Sequence, residues 1–76
     1  MTLKKIFQRM TARSTRNKIR FQGRSSLDDL KRAQDHLTEL AALAADTSPY
    51  IDDNLPVIMV ALSAVIATLE KFNEGL

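Results

Sequence analysis

Cysteine and tryptophan are absent from this 76-residue chain, and glycine and proline occur only twice each. Without cysteine there is no disulfide framework, no thiolate metal site and no thiol nucleophile. Gly23 and Gly75 are too far apart to build a glycine-rich phosphate loop. His36 is the single histidine. It has no second imidazole with which to hold a metal, and Asp35, His36 and Glu39 read as the solvated edge of a helix. Asp46, Asp52, Asp53 and Asn54 bunch loosely, but their spacing is not that of an EF-hand loop. Ser63 and Thr68 lie in an apolar stretch, where hydroxyls bond to preceding carbonyls rather than act as nucleophiles. These absences point away from an enzyme, and the expectation is no metal, no cofactor and no small-molecule substrate.

Long runs of one kind are also scarce, with one exception in charge. Residues 1–24 contain Lys4, Lys5, Arg9, Arg13, Arg16, Lys18, Arg20 and Arg24 and no acid. Residues 25–76 contain Lys31, Arg32 and Lys71 against nine acids. The net charge of +2 therefore hides a basic segment joined to an acidic one, a pattern typical of an interaction arm on a body. Leu3, Ile6, Phe7 and Met10 are interleaved with charge, so no secretory signal core is present. An acid-free, Arg-rich start also matches a mitochondrial presequence. The reading taken here is a cytoplasmic protein with a basic arm, residues 1–24, and a body, residues 25–76.

The body reads as two helices. Ser25 and Ser26 precede Asp28 and Asp29 at capping-box spacing. Leu30, Ala33, Leu37, Leu40 and Ala44 then recur at alternating intervals of three and four, with Leu27, Ala41 and Leu43 widening the stripe, predicting a helix over about 26–45. "DTSPYIDDNLP" breaks it, with Ser48-Pro49 and Asn54-Leu55-Pro56 both carrying helix-start chemistry. A second helix follows over about 55–73, with Leu55, Ile58, Leu62, Val65, Leu69 and Phe72 as its seam and Gly75 as its stop. The fold class is all-α, an antiparallel helical hairpin.

No charge interrupts Leu55 to Leu69. Those fifteen residues reach only about 22 Å, short of a hydrocarbon core of about 30 Å, which argues for a buried core helix. One partner covers one stripe, however, and this helix is apolar on nearly every side. A chain this short is also marginally stable alone and commonly finds extra core by oligomerising. The expectation is a homodimer forming a helical bundle, with Leu55, Ile58, Met59, Ala61, Leu62, Val65, Ile66, Leu69 and Phe72 as interface residues. The alternative is a monomer in which the N-terminal segment folds back over the same face.

In the arm, Leu3, Ile6, Phe7 and Met10 predict a short amphipathic helix over about 2–12, with Thr2 as its cap. Arg16, Lys18, Arg20 and Gln22 alternate with Asn17, Ile19 and Phe21, predicting an extended or flexible stretch that ends at Gly23. An extended segment before two helices is similar in order to the ribbon-helix-helix DNA readers, which place paired strands in the major groove. The first helix here is longer than in that pattern, and the inter-helix loop lacks its short turn. The eight basic residues, from Lys4 to Arg24, are the candidate contacts to nucleic acid, through phosphate neutralisation and stacking on unpaired bases. Three other partners fit the same residues or their neighbours. One is an anionic membrane surface met by the amphipathic helix. Another is a protein partner met by the apolar face of helix 55–73. The last is the acidic body of its own chain or of a neighbouring copy, near Asp28, Asp29, Asp52 and Asp53.

Overall fold

The computed structural model describes the backbone of residues 2–76 and the side chains of residues 13–76. It consists of two α-helices, α1 (Thr2–Ala44) and α2 (Pro49–Glu74), packed antiparallel along the length of α2. All described residues are helical or lie in the connecting turn and the last two positions.

The first helix departs from expectation. Residues 14–22 are not extended, and 2–12 is not a separate helix, because α1 runs unbroken for 43 residues. The stretch holds no proline, and Arg, Lys and Gln are good helix formers, so nothing local stops a helix already propagating from the body. The strand on which the likeness to ribbon-helix-helix readers rested is therefore absent. Ser25 and Ser26 are not caps either. They sit mid-helix, and Ser26 Oγ donates back to the Gln22 carbonyl at 2.7 Å.

Gly23 does not end the arm; it lets α2 come close. A Cβ built at Gly23 would lie 2.7 Å from Asn73 Oδ1 and 2.9 Å from Leu76 Cδ1. In that space Asn73 Nδ2 donates to the Gly23 carbonyl at 2.9 Å. A side chain here would displace the Asn73 amide and the Leu76 side chain.

The turn is short. Thr47 closes α1 through both its N–H (3.0 Å) and its Oγ1 (2.8 Å) to the Ala44 carbonyl. Asp46 adopts φ 61°, the left-handed conformation that Asp tolerates better than branched residues. Of the two candidate starts for α2, the first is used. Ser48 is the N-cap and accepts from the Ile51 N–H at 3.4 Å, with Pro49 in the first turn. Tyr50 and Ile51 lie in the first turn of this helix. Pro56 falls inside α2 and removes one backbone donor. Asn54, no longer a cap, donates from Nδ2 to the Tyr50 carbonyl at 2.7 Å. The helix stops at Glu74 with Gly75 as C-cap, in a right-handed conformation (φ −84°) rather than the left-handed one common for glycine caps.

The seam is rotated from the predicted one. In α1 the inward residues are Leu27, Leu30, Gln34, Leu37, Ala41 and Ala44, while Ala33 and Leu40 are exposed. In α2 they are Ile51, Leu55, Met59, Leu62, Ile66, Leu69 and Asn73, while Ile58, Val65 and Phe72 are exposed. Both choices step by three and four and share Leu30, Leu37, Ala44, Leu55, Leu62 and Leu69. The stripe is wide enough to accept either, and packing decides between them. The observed register brings Gln34 Nε2 onto Ser63 Oγ at 3.0 Å across the seam and pairs Lys31 with Glu70 at 3.4 Å. Ser63 thus bonds across helices, while Thr68 bonds as predicted to the carbonyl four residues back, Ala64, at 2.8 Å.

Candidate nucleic-acid interface and apolar face

The N-terminal part of α1 leaves the body where α2 ends. Gly23 faces Asn73 and Leu76, and Arg20 Nε donates to the main-chain oxygen of Leu76 at 2.9 Å. From Thr2 to Ile19 the helix has no lengthwise partner, a projection of about 27 Å.

The predicted contacts divide on this geometry. Lys4, Lys5 and Arg9 lie outside the described side chains. Arg13, Arg16, Lys18, Arg20 and Arg24 are all exposed. With 3.6 residues per turn, Arg13, Arg16, Arg20 and Arg24 fall at i, i+3, i+7 and i+11 and form one row. Lys18 is two residues from both Arg16 and Arg20, so it points to the back of that row, about 160° away. An extended segment would have put Arg16, Lys18 and Arg20 on one side. The row continues the line of the seam beyond the end of α2. Arg20 and Arg24 border a notch there with Asn73 and Leu76. Asn73 Oδ1 is buried in this region without a donor.

Among the described residues none of these five cations is paired with an Asp or Glu side chain, although Arg20 is engaged by the Leu76 oxygen; the ion pairs are Lys31–Glu70 and Arg32–Asp29. The acids nearest in sequence, Asp28 and Asp29, form no ion pair with the row. Asp52 and Asp53 sit at the closed end of the hairpin, some 30 Å along the helix from Arg24. The expected pairing of the arm with its own acidic body is not found among the described residues.

The second feature is the open face of the hairpin. Lys31–Glu70, Ser63 and Thr38 mark one broad side of the two-helix layer as polar. The opposite side presents Ala33 and Leu40 from α1 and Ile58, Ala61, Val65, Thr68 and Phe72 from α2. Ile58, Val65 and Phe72 are 54%, 51% and 61% exposed. A shallow groove runs among Ala64, Val65, Thr68, Leu69 and Phe72. The nine predicted interface residues therefore split. Leu55, Met59, Leu62, Ile66 and Leu69 turn into the hairpin, and Ile58, Ala61, Val65 and Phe72 remain outside it. Because α1 is continuous, the N-terminal segment does not fold back over this face, as the monomeric alternative required.

α2 is also longer than the helix predicted for it. Its 26 residues span about 39 Å, and by length and composition it could cross a membrane. Among the described residues no group of three or more His, Asp or Glu side chains is arranged to hold a metal. No protein-family model matches the chain, and no curated protein or solved structure is significantly similar to it.

Proposed function

We propose that this is a small non-enzymatic regulatory or accessory protein of the cytoplasm, a helical dimer whose basic N-terminal helix binds nucleic acid. The observation that carries the reading is the row Arg13–Arg16–Arg20–Arg24 with Lys18 behind it. It is exposed, lies in an acid-free stretch and forms no ion pair with a described Asp or Glu side chain. Five such cations have a polyanion as their natural partner, with affinity from counterion release.

The dimer is supported by area. The chain exposes 6523 Å², whereas a compact protein of 8.5 kDa exposes about 4,700 Å² by the usual scaling of surface with mass. Part of the excess is the projecting arm. The open face adds exposed apolar side chains such as Ile58, Val65 and Phe72, and a standard interface removes about 800 Å² from each partner. That face carries no charge in its centre, so two copies meet it without like-charge repulsion. Pairing them face to face gives a four-helix bundle with Lys31, Glu70 and the other charges outside.

The same face fits a protein partner of complementary shape, the inhibitor or adaptor reading. A membrane is the third occupant, and the length of α2 favours it. Insertion of the intact hairpin, however, would carry Asp28, Asp29, Lys31, Arg32, Asp35 and Glu39 of α1 into hydrocarbon, at about 2.5–3.5 kcal/mol for each charge at the centre.

Two measurements test the proposal. In sedimentation equilibrium the protein runs as a dimer, and Val65→Glu shifts it to monomer by weakening association at least tenfold, about 1.4 kcal/mol. A wild-type monomer at high concentration overturns the dimer. For nucleic acid, log K against log salt is linear with a negative slope, which becomes shallower by roughly one when Arg20 or Arg24 is changed to Gln. Binding that persists undiminished in high salt, or to lipid vesicles only, overturns the polyanion reading.

A further inference from the structure

The continuity of α1 narrows the class of nucleic acid. We infer that the ligand is duplex DNA and that α1 enters its major groove as an intact helix, with Arg13 and Arg16 toward the bases. This rests on the nucleic-acid reading above and specifies it.

Three observations lead there. The first is shape. The projecting part of α1 is a single helix with no second helix alongside it. A helix with side chains is about 10–12 Å across, and the major groove of B-DNA is about 12 Å wide. The major groove of A-form RNA is too deep and narrow for side chains to read. Unpaired bases are usually bound by aromatic platforms. Among the described side chains of this segment the sole aromatic is Phe21, and it lies about 100° around the helix from Arg20, off the row.

The second observation is the placement of charge. Arg13 and Arg16 lie beyond the end of α2, on the side of α1 that α2 occupies further along. A duplex approaching that side meets the two arginines first. Arg20 and Arg24, beside Asn73 and Leu76, then stand at the groove's rim next to the hairpin end, within reach of phosphates. Arginine is the side chain that pairs bidentately with guanine O6 and N7.

The third is Lys18. On an extended chain it would share a face with Arg16 and Arg20. On the helix it faces away from the groove, toward solvent. The helical geometry therefore gives two neighbouring cations of equal charge unequal roles, which phosphate attraction to a flexible basic tail would not do.

The test uses the full chain with labelled duplex DNA about two turns long, duplex RNA of the same sequence and each single strand, at one salt concentration. The expected order places duplex DNA at least tenfold tighter than the others. Arg16→Ala weakens binding about tenfold, within the range for a base-contacting arginine, and Lys18→Ala by less than about twofold. Guanine N7 atoms in the bound duplex are protected from methylation. Circular dichroism of both variants checks that the helix is retained, since both positions are exposed. Equal losses for Arg16→Ala and Lys18→Ala, unprotected N7 atoms, or preference for RNA or single strands overturns the duplex inference while leaving nucleic-acid binding intact. Binding to none of the four ligands overturns the broader reading and this one with it.

Discussion

The two halves of α1 have the same backbone conformation and are held by different forces. Residues 25–44 lie against α2, with Leu27, Leu30, Leu37, Ala41 and Ala44 turned inward and Gln34, Lys31 and Asn73 fixing the register. Residues 2–19 have no such partner. Their helix extends one already nucleated by the hairpin, so it avoids the unfavourable first turn and relies on propensity. Packing dictates a residue at each inward position of the first half. The second half is free of that demand and can carry a row of arginines. The comparison teaches that a docked helix can continue into an undocked one whose surface positions are free to carry charge.

The sharpest way to break this contrast is a proline in the undocked half. Asn17→Pro leaves every charge in place, yet costs about 3 kcal/mol or more of local helix stability. The expected outcome is loss of helical signal from the arm and of tight nucleic-acid binding, with the hairpin's thermal transition nearly unchanged. Binding unaffected by Asn17→Pro would mean that charge alone, not helical presentation, matters. A change confined to the docked half should do the reverse. Ile66, 7% exposed, is one of three apolar residues buried in the hairpin, and Ile66→Ala should lower stability by about 2–3 kcal/mol in denaturant unfolding. The smallest effect belongs to the turn that brings α2 back. Asp46→Val places a β-branched residue at φ 61° and should cost about 1–2 kcal/mol, whereas Asp46→Gly should be close to neutral. Equal melting temperatures for these two variants would show that the turn is not held in the left-handed conformation.

Much of the body was legible from spacing. Leu30, Leu37, Leu55, Leu62 and Leu69 announce two amphipathic helices, and Ser48-Pro49 announces the start of the second. The arm was less so. Arg16, Lys18, Arg20 and Gln22 alternate with Asn17, Ile19 and Phe21, a period of two that reads as a strand, but helix propagating from the body overrides that local pattern. Gly23 read as a stop because glycine is the usual punctuation, and its reason for being there, the approach of Asn73 and Leu76, lies fifty residues away in the chain.

The sequence by itself determined that the chain is helical, that its charge is divided at about residue 24, and that one helix carries more apolar surface than a single neighbour can cover. These follow from composition and local period. Tertiary structure alone decided which of two overlapping stripes became the seam. Choosing Leu30–Gln34–Leu37–Ala41 over Leu30–Ala33–Leu37–Leu40 rotates the packed face by a fraction of a turn. That rotation depends on whether Gln34 can meet Ser63 and Lys31 can meet Glu70, which no local pattern encodes. The same choice left Ile58, Val65 and Phe72 on the outside, where a second surface can cover them.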